Sequence, residues 1–96
     1  PELTAIIGHN DLVGVGVLHA CAELGKEVPN SLALIGFDDI PMASVVNPAL
    51  TTCRVPRYEL GAQAMSMLLR QISDCEDSVP EHIVIQPELI IRGSAP

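Results

Sequence analysis

Apolar and polar positions alternate in short blocks along this chain, and the blocks predict its elements. The run Leu3-Thr4-Ala5-Ile6-Ile7 halts at Gly8 and predicts a buried strand. Asn10 or Asp11 can then cap a helix that runs to about residue 24, with Gly25 as the residue after its C-cap and Pro29 shortly beyond. Inside it, Val13-Gly14-Val15-Gly16-Val17 alternates with a period of two, as a strand would, and both glycines disfavour a helix. Segment length and the polar positions decide for the helix: His19, Glu23 and Lys26 recur at spacings of four and three as one solvated stripe. The other side is almost wholly apolar. It should lie against a sheet, with the glycines allowing close backbone approach.

Leu32-Ala33-Leu34-Ile35-Gly36-Phe37 is a continuous apolar run of the kind a strand covered on both faces shows, and it stops at Asp38-Asp39. One helical turn is predicted from Pro41 to Ser44, a bend at Asn47-Pro48, and a strand over Thr51-Thr52-Cys53-Arg54-Val55 that closes at Pro56. Residues 57 to about 73 read as an amphipathic helix, with Glu59, Gln63, Ser66, Arg70 and Asp74 polar and Gly61, Ala64, Met65, Leu68 and Ile72 apolar. An acidic loop follows over 75–81. Two short strands are predicted at 82–86 and 88–92, joined at Pro87, and the tail Gly93-Ser94-Ala95-Pro96 is expected to fray. This alternation of strands and helices implies an α/β fold with a mostly parallel sheet and helices on its faces.

Composition narrows the function. Ninety-six residues suffice for one small domain. With 48% hydrophobic residues, 18% charged residues and a mean hydropathy of +0.35, the chain is not intrinsically disordered. The net charge of −7 repels phosphate backbones, and Phe37 and Tyr58 are the only aromatics, so neither duplex DNA nor single strands find a footprint here. No apolar run is long enough for a bilayer, so no membrane partner is expected. The three cysteines, Cys21, Cys53 and Cys75, are odd in number and widely spaced, as in a cytoplasmic protein with reduced thiols. The first residue, Pro1, suggests a fragment or a processed product.

Candidate chemistry concentrates where strands end. In open α/β sheets, ligands bind outside the carboxyl ends of the strands. His9-Asn10-Asp11 follows the first strand and Asp38-Asp39 follows the second. A carboxylate and an amide converging there can form bidentate hydrogen bonds to vicinal hydroxyls, which suits a sugar or a nucleoside. Equally, Asn10 can cap the helix and the aspartates can be ordinary turn residues. No cofactor or metal is expected. Gly14-x-Gly16 lies inside the helix rather than before it, no phosphate-loop lysine pattern occurs, and His9, His19 and His82 have no partners at metal-ligand spacing. The serines lack the setting of a catalytic nucleophile, and the acidic loop lacks the alternating oxygen ligands of a calcium site.

Several ordered motifs together resemble the LacI/GalR family of bacterial transcription repressors. They are the string from Ala5 to Leu18 that contains Ile7-Gly8-His9-Asn10-Asp11, the string from Val28 to Pro41 that contains Gly36-Phe37-Asp38-Asp39-Ile40-Pro41, Pro48-Ala49-Leu50-Thr51-Thr52, Glu59-Leu60-Gly61, and Pro87-Glu88-Leu89-Ile90-Ile91-Arg92. The resemblance implies a parallel-sheet sandwich of the periplasmic-binding-protein-like type, present as a C-terminal fragment of an effector domain. It implies one lobe built from 1–55 and 88–96 and another from 56–87. A sugar or purine in the cleft between lobes would shift the arrangement that sets DNA affinity. The family positions that contact ligand match Asn10 and Asp38. His9 stands where a small residue is usual and is expected to reach the cleft. Val55 replaces a frequent Gln; Arg57, at the start of the next helix, is either a polar contact in its stead or an ordinary helix-surface arginine. DNA would be bound only through a module absent from this chain. With so much of the domain missing, the chain is expected to self-associate or form a homodimer over the Met65/Leu68/Ile72 face. The competing readings are a periplasmic sugar-binding protein of a transport system and a small α/β enzyme. The latter lacks a nucleophile, base or metal constellation, so no catalysis is expected.

Overall fold

The structure, a computed structural model, describes residues 3–73 and 79–96. Its elements in chain order are β1 (Ala5–Ile7), α1 (Asp11–Glu23), β2 (Ala33–Ile35), α2 (Pro41–Val45), β3 (Thr52–Arg54), α3 (Arg57–Ser73) and β4 (Glu88–Ile90). The chain divides into two compact units, Pro1–Val55 with Glu88–Pro96, and Pro56–Pro87.

In the first unit β1 and β2 pair in parallel, with Ala5 opposite Ala33 and Ile7 opposite Ile35. Parallel bridges at Ile35–Thr51 and Asp38–Arg54 carry the pairing on to β3. The Gly36 amide donates to the Thr51 carbonyl at 2.8 Å, and the Asp38 amide to the Cys53 carbonyl at 2.9 Å. The expected parallel order changes at β4, which runs antiparallel to β3 with Arg54 opposite Glu88. The cause is connectivity: the chain leaves this unit just after Arg54 and returns at Glu88, so departing and returning strands lie side by side in opposite directions.

Helix α1 begins where the capping chemistry places it. The Asn10 side chain accepts a hydrogen bond from the Val13 amide at 2.9 Å, and Gly25 after the C-cap has φ of +63°, a conformation that suits glycine. Leu34, Ala43 and Leu50 are fully buried and form the core, with Ile6, Val17, Leu18, Val28 and Val46 packed around them. Of the two α1 glycines only Gly14 serves close approach: a Cβ there would meet Leu50 Cδ2 at 2.9 Å, whereas Gly16 faces open space. The expectation is thus corrected for Gly16, whose missing side chain only weakens the helix. Gly16→Ala should stabilise the chain by about 0.5–1 kcal/mol, read as a higher urea midpoint at unchanged m-value.

The tail also departs from expectation. Ser94 is fully buried rather than frayed. Its hydroxyl donates to the Leu34 carbonyl at 2.6 Å and accepts from the Thr51 amide at 2.8 Å, while its own carbonyl accepts from the Leu34 amide at 2.9 Å. Thr51 Oγ1 accepts in turn from the Arg92 amide at 2.8 Å. These bonds satisfy backbone groups of β2 and of Thr51, the residue before β3, that would otherwise face the interior unpaired.

The second unit holds α3, where Glu59 in the first turn and Arg70 in the last suit the helix dipole. Arg70 pairs with Glu81. None of its residues is buried, and Met65 and Leu68 are 56% and 50% exposed. Residues 82–86 do not form the expected strand. A strand needs a neighbour for its amides and carbonyls, and no other strand occurs among the described residues of this unit. Asp74 and most of the acidic loop, with Cys75, lie outside the described residues. No described helix is long and apolar enough to cross a membrane. Cys21 and Cys53 carry free thiols.

Candidate functional site

The carboxyl ends of β1 and β2 lead into two polar loops, and a backbone bond joins the loops directly: the Asp11 amide donates to the Phe37 carbonyl at 2.9 Å. His9 and Asn10 thereby sit beside the segment that carries Asp38 and Asp39. His9 is exposed, and Asn10 and Asp38 are half-buried. Asn10 spends its side-chain oxygen on the α1 cap, so the capping reading holds for that atom. Arg57 is the exposed first residue of α3 and belongs to the second unit.

The residue that organises these loops is Asp11, which the sequence marked only as a possible cap. It is fully buried at the first position of α1. One carboxyl oxygen accepts from Thr52 Oγ1 at 2.5 Å and the other from the Ile40 amide at 2.8 Å. A single side chain thus ties the end of β1 to the β2–α2 loop and to β3. Its partners lie 29 and 41 residues away, a separation at which no local pattern reveals the contact.

Asp38 and Asp39 are consecutive and take different roles. Both have positive φ, 113° and 56°, which for non-glycine residues costs on the order of 1–3 kcal/mol unless the surroundings enforce it. The Asp39 carboxylate is almost enclosed: one oxygen binds Arg54 Nε at 2.7 Å and the other Arg92 NH2 at 2.7 Å. Arg92 also donates to the Leu50 carbonyl at 3.0 Å, and Arg54 lies 3.6 Å from Glu88. Among the described residues the Asp38 carboxylate has no hydrogen-bond or ion-pair partner.

Burial pushes the Asp39 carboxyl up, but the hydrogen bonds and charges of Arg54 and Arg92 outweigh it and hold the group below its ordinary value of 3.8. A carboxylate depressed on folding contributes stability that is complete above the unfolded value and is lost as pH falls through the lower folded one. The stability difference between wild type and Asp39→Asn should therefore be constant near neutrality and shrink on acidification below about pH 4. Urea titrations at stepped pH check this.

A mostly parallel α/β unit with amide and carboxylate side chains gathered at its strand ends is of the class of open α/β domains, in which the crevice beyond the carboxyl ends of the strands is the usual place for a ligand. The chain belongs to the periplasmic-binding-protein-like domain family, whose model matches residues 1–95. It is 36% identical over 93 residues to the transcriptional regulator MalR of Streptomyces coelicolor, covering 97% of this chain and 27% of that protein. It is 38% identical over 96 residues to the transcriptional repressor CytR of Escherichia coli K12, covering 95% and 26% respectively. The fold superposes on the complex of the transcriptional regulator CelR with cellobiose at a TM-score of 0.92 and 27% identity, over 99% of this chain and 29% of that one. For a LacI-family regulator of Arthrobacter in complex with lactose the TM-score is 0.86 at 31% identity, over 100% and 36%. The chain thus spans about a quarter of the curated relatives' length.

Proposed function

We propose that this chain is the C-terminal part of the effector-sensing domain of a LacI/GalR-type repressor, with no bond made or broken in its working cycle. One observation carries the reading: Asp38 presents a half-buried carboxylate, without a hydrogen-bond or ion-pair partner among the described residues, at the carboxyl end of a parallel strand, one backbone bond away from the Asn10 loop. A carboxylate so placed accepts two hydroxyls of a sugar or nucleoside-like effector, and the Asn10 amide nitrogen, left over from capping, can donate to the same molecule. His9, exposed on the adjoining turn, completes the contacts proposed for this unit. The units 1–55 with 88–96 and 56–87 correspond to parts of two lobes. DNA is reached through a module outside this chain, in a cytoplasmic homodimer. The names of the relatives, regulators and repressors, favour this over a transport protein of the same fold.

Calorimetry on the full-length regulator tests the proposal, with cellobiose, lactose, cytidine and adenosine as probes. Asp38→Ala should weaken whichever probe binds by about 1.5–3 kcal/mol, the range of a hydrogen bond to a charged group. Unchanged affinity removes Asp38 from the site.

A further inference from the structure

Asp39 sits beside the proposed ligand carboxylate but faces away from any such role, because both its oxygens are occupied by arginines. We propose that Asp39, clamped by Arg54 and Arg92, is the positioning residue that holds Asp38 in the conformation the effector site requires. The inference rests on the functional reading above.

Three observations converge on it. First, Asp38 and Asp39 form consecutive positive-φ positions without glycine, so something beyond local preference holds the turn. Second, that segment is anchored on both sides: the Asp38 amide donates to the Cys53 carbonyl at 2.9 Å, and the Ile40 amide donates to the Asp11 carboxyl at 2.8 Å. Between these anchors the Asp39 side chain is bonded to two cations of the unit at once, Arg54 and Arg92. Third, the clamp is itself built on fixed points. Arg92 donates its other terminal nitrogen to the Leu50 carbonyl of the core, and Arg54 stands in β3 opposite Glu88. Two arginines, Arg54 in β3 and Arg92 two residues past the end of β4, therefore define where the Asp39 carboxylate sits, and among the described residues the preceding side chain has no hydrogen-bond or ion-pair partner of its own. A carboxylate held at two oxygens by planar guanidinium groups is fixed in direction as well as in place.

The test reads the geometry of Asp38 without ligand. In the isotopically labelled full chain, the intraresidue amide–Hα nuclear Overhauser cross-peak of Asp38 should be strong, as positive φ demands. Asp39→Asn should weaken it to the level of extended residues while the cross-peaks of β1, β2 and α1 stay in place, and Asp39→Glu should restore it. Arg54→Gln, at an exposed position, removes one arm of the clamp and should give an intermediate intensity even where Asp39→Asn disturbs folding. A strong Asp38 cross-peak retained in both Asp39→Asn and Arg54→Gln overturns the proposal. Failure of Asp38→Ala to change probe affinity overturns the ligand reading instead, so the two failures are told apart.

Discussion

Asp11→Ala should destabilise the chain by about 3–6 kcal/mol, since two hydrogen bonds to a carboxyl group are worth about 1.5–3 kcal/mol each. The Thr52 hydroxyl and the Ile40 amide both lose their acceptor on this substitution, and the side chain they bonded is fully buried, so water does not readily replace it. For a chain of this length total stability is of order 5–14 kcal/mol, so the loss is a large share of it. Thermal unfolding should show a fall on the order of 20 °C, at about 4–8 °C per kcal/mol. A milder companion, Thr52→Val, removes one of the two donors and keeps the shape, and should cost about 1–3 kcal/mol. A midpoint for Asp11→Ala within a few degrees of wild type would show that the loops are held by other contacts.

Gly36→Ala should be nearly as damaging, at about 3 kcal/mol, the upper end of what overpacking usually costs. A Cβ at Gly36 would run into the Asp11 carboxyl oxygen that receives the Thr52 hydroxyl, and would lie 2.8 Å from Leu50 Cδ2 and 3.2 Å from the Asp11 Cα. The leucine methyl can move. The Asp11 backbone cannot, because its amide is bonded to the Phe37 carbonyl one residue beyond the glycine. The two substitutions should therefore be non-additive: in an Asp11→Ala background the Gly36→Ala penalty should shrink, because the obstructing carboxyl is gone. Urea unfolding of the two single variants and the double variant measures the coupling.

The elements were largely legible because their signals are local. Asn10 and Gly25 bracket α1 as their capping chemistry requires, and the polar stripe of the last helix placed α3 at Arg57–Ser73. The candidate site was legible only as a pair of loops. That Asn10 and Asp38 follow neighbouring parallel strands can be read from the two apolar runs. That one carboxylate of Asp38-Asp39 is consumed by arginines and the other left over cannot, since Arg54 and Arg92 lie 15 and 53 residues from Asp39 and nothing near any of the three marks the pairing. The same holds for Ser94, whose tail looked unconstrained and is buried through partners 43 and 60 residues away.

Short-range physics, then, sufficed for where strands and helices begin and end, for the polar ends of the strands, and for the family resemblance carried by ordered motifs. Tertiary packing alone decided the direction of β4, the burial of Asp11 and Ser94, and which of the two adjacent aspartates the arginines engage. The reason is that caps and periodicity act over three or four residues, whereas a buried polar group takes its partner from whichever strand the fold brings alongside.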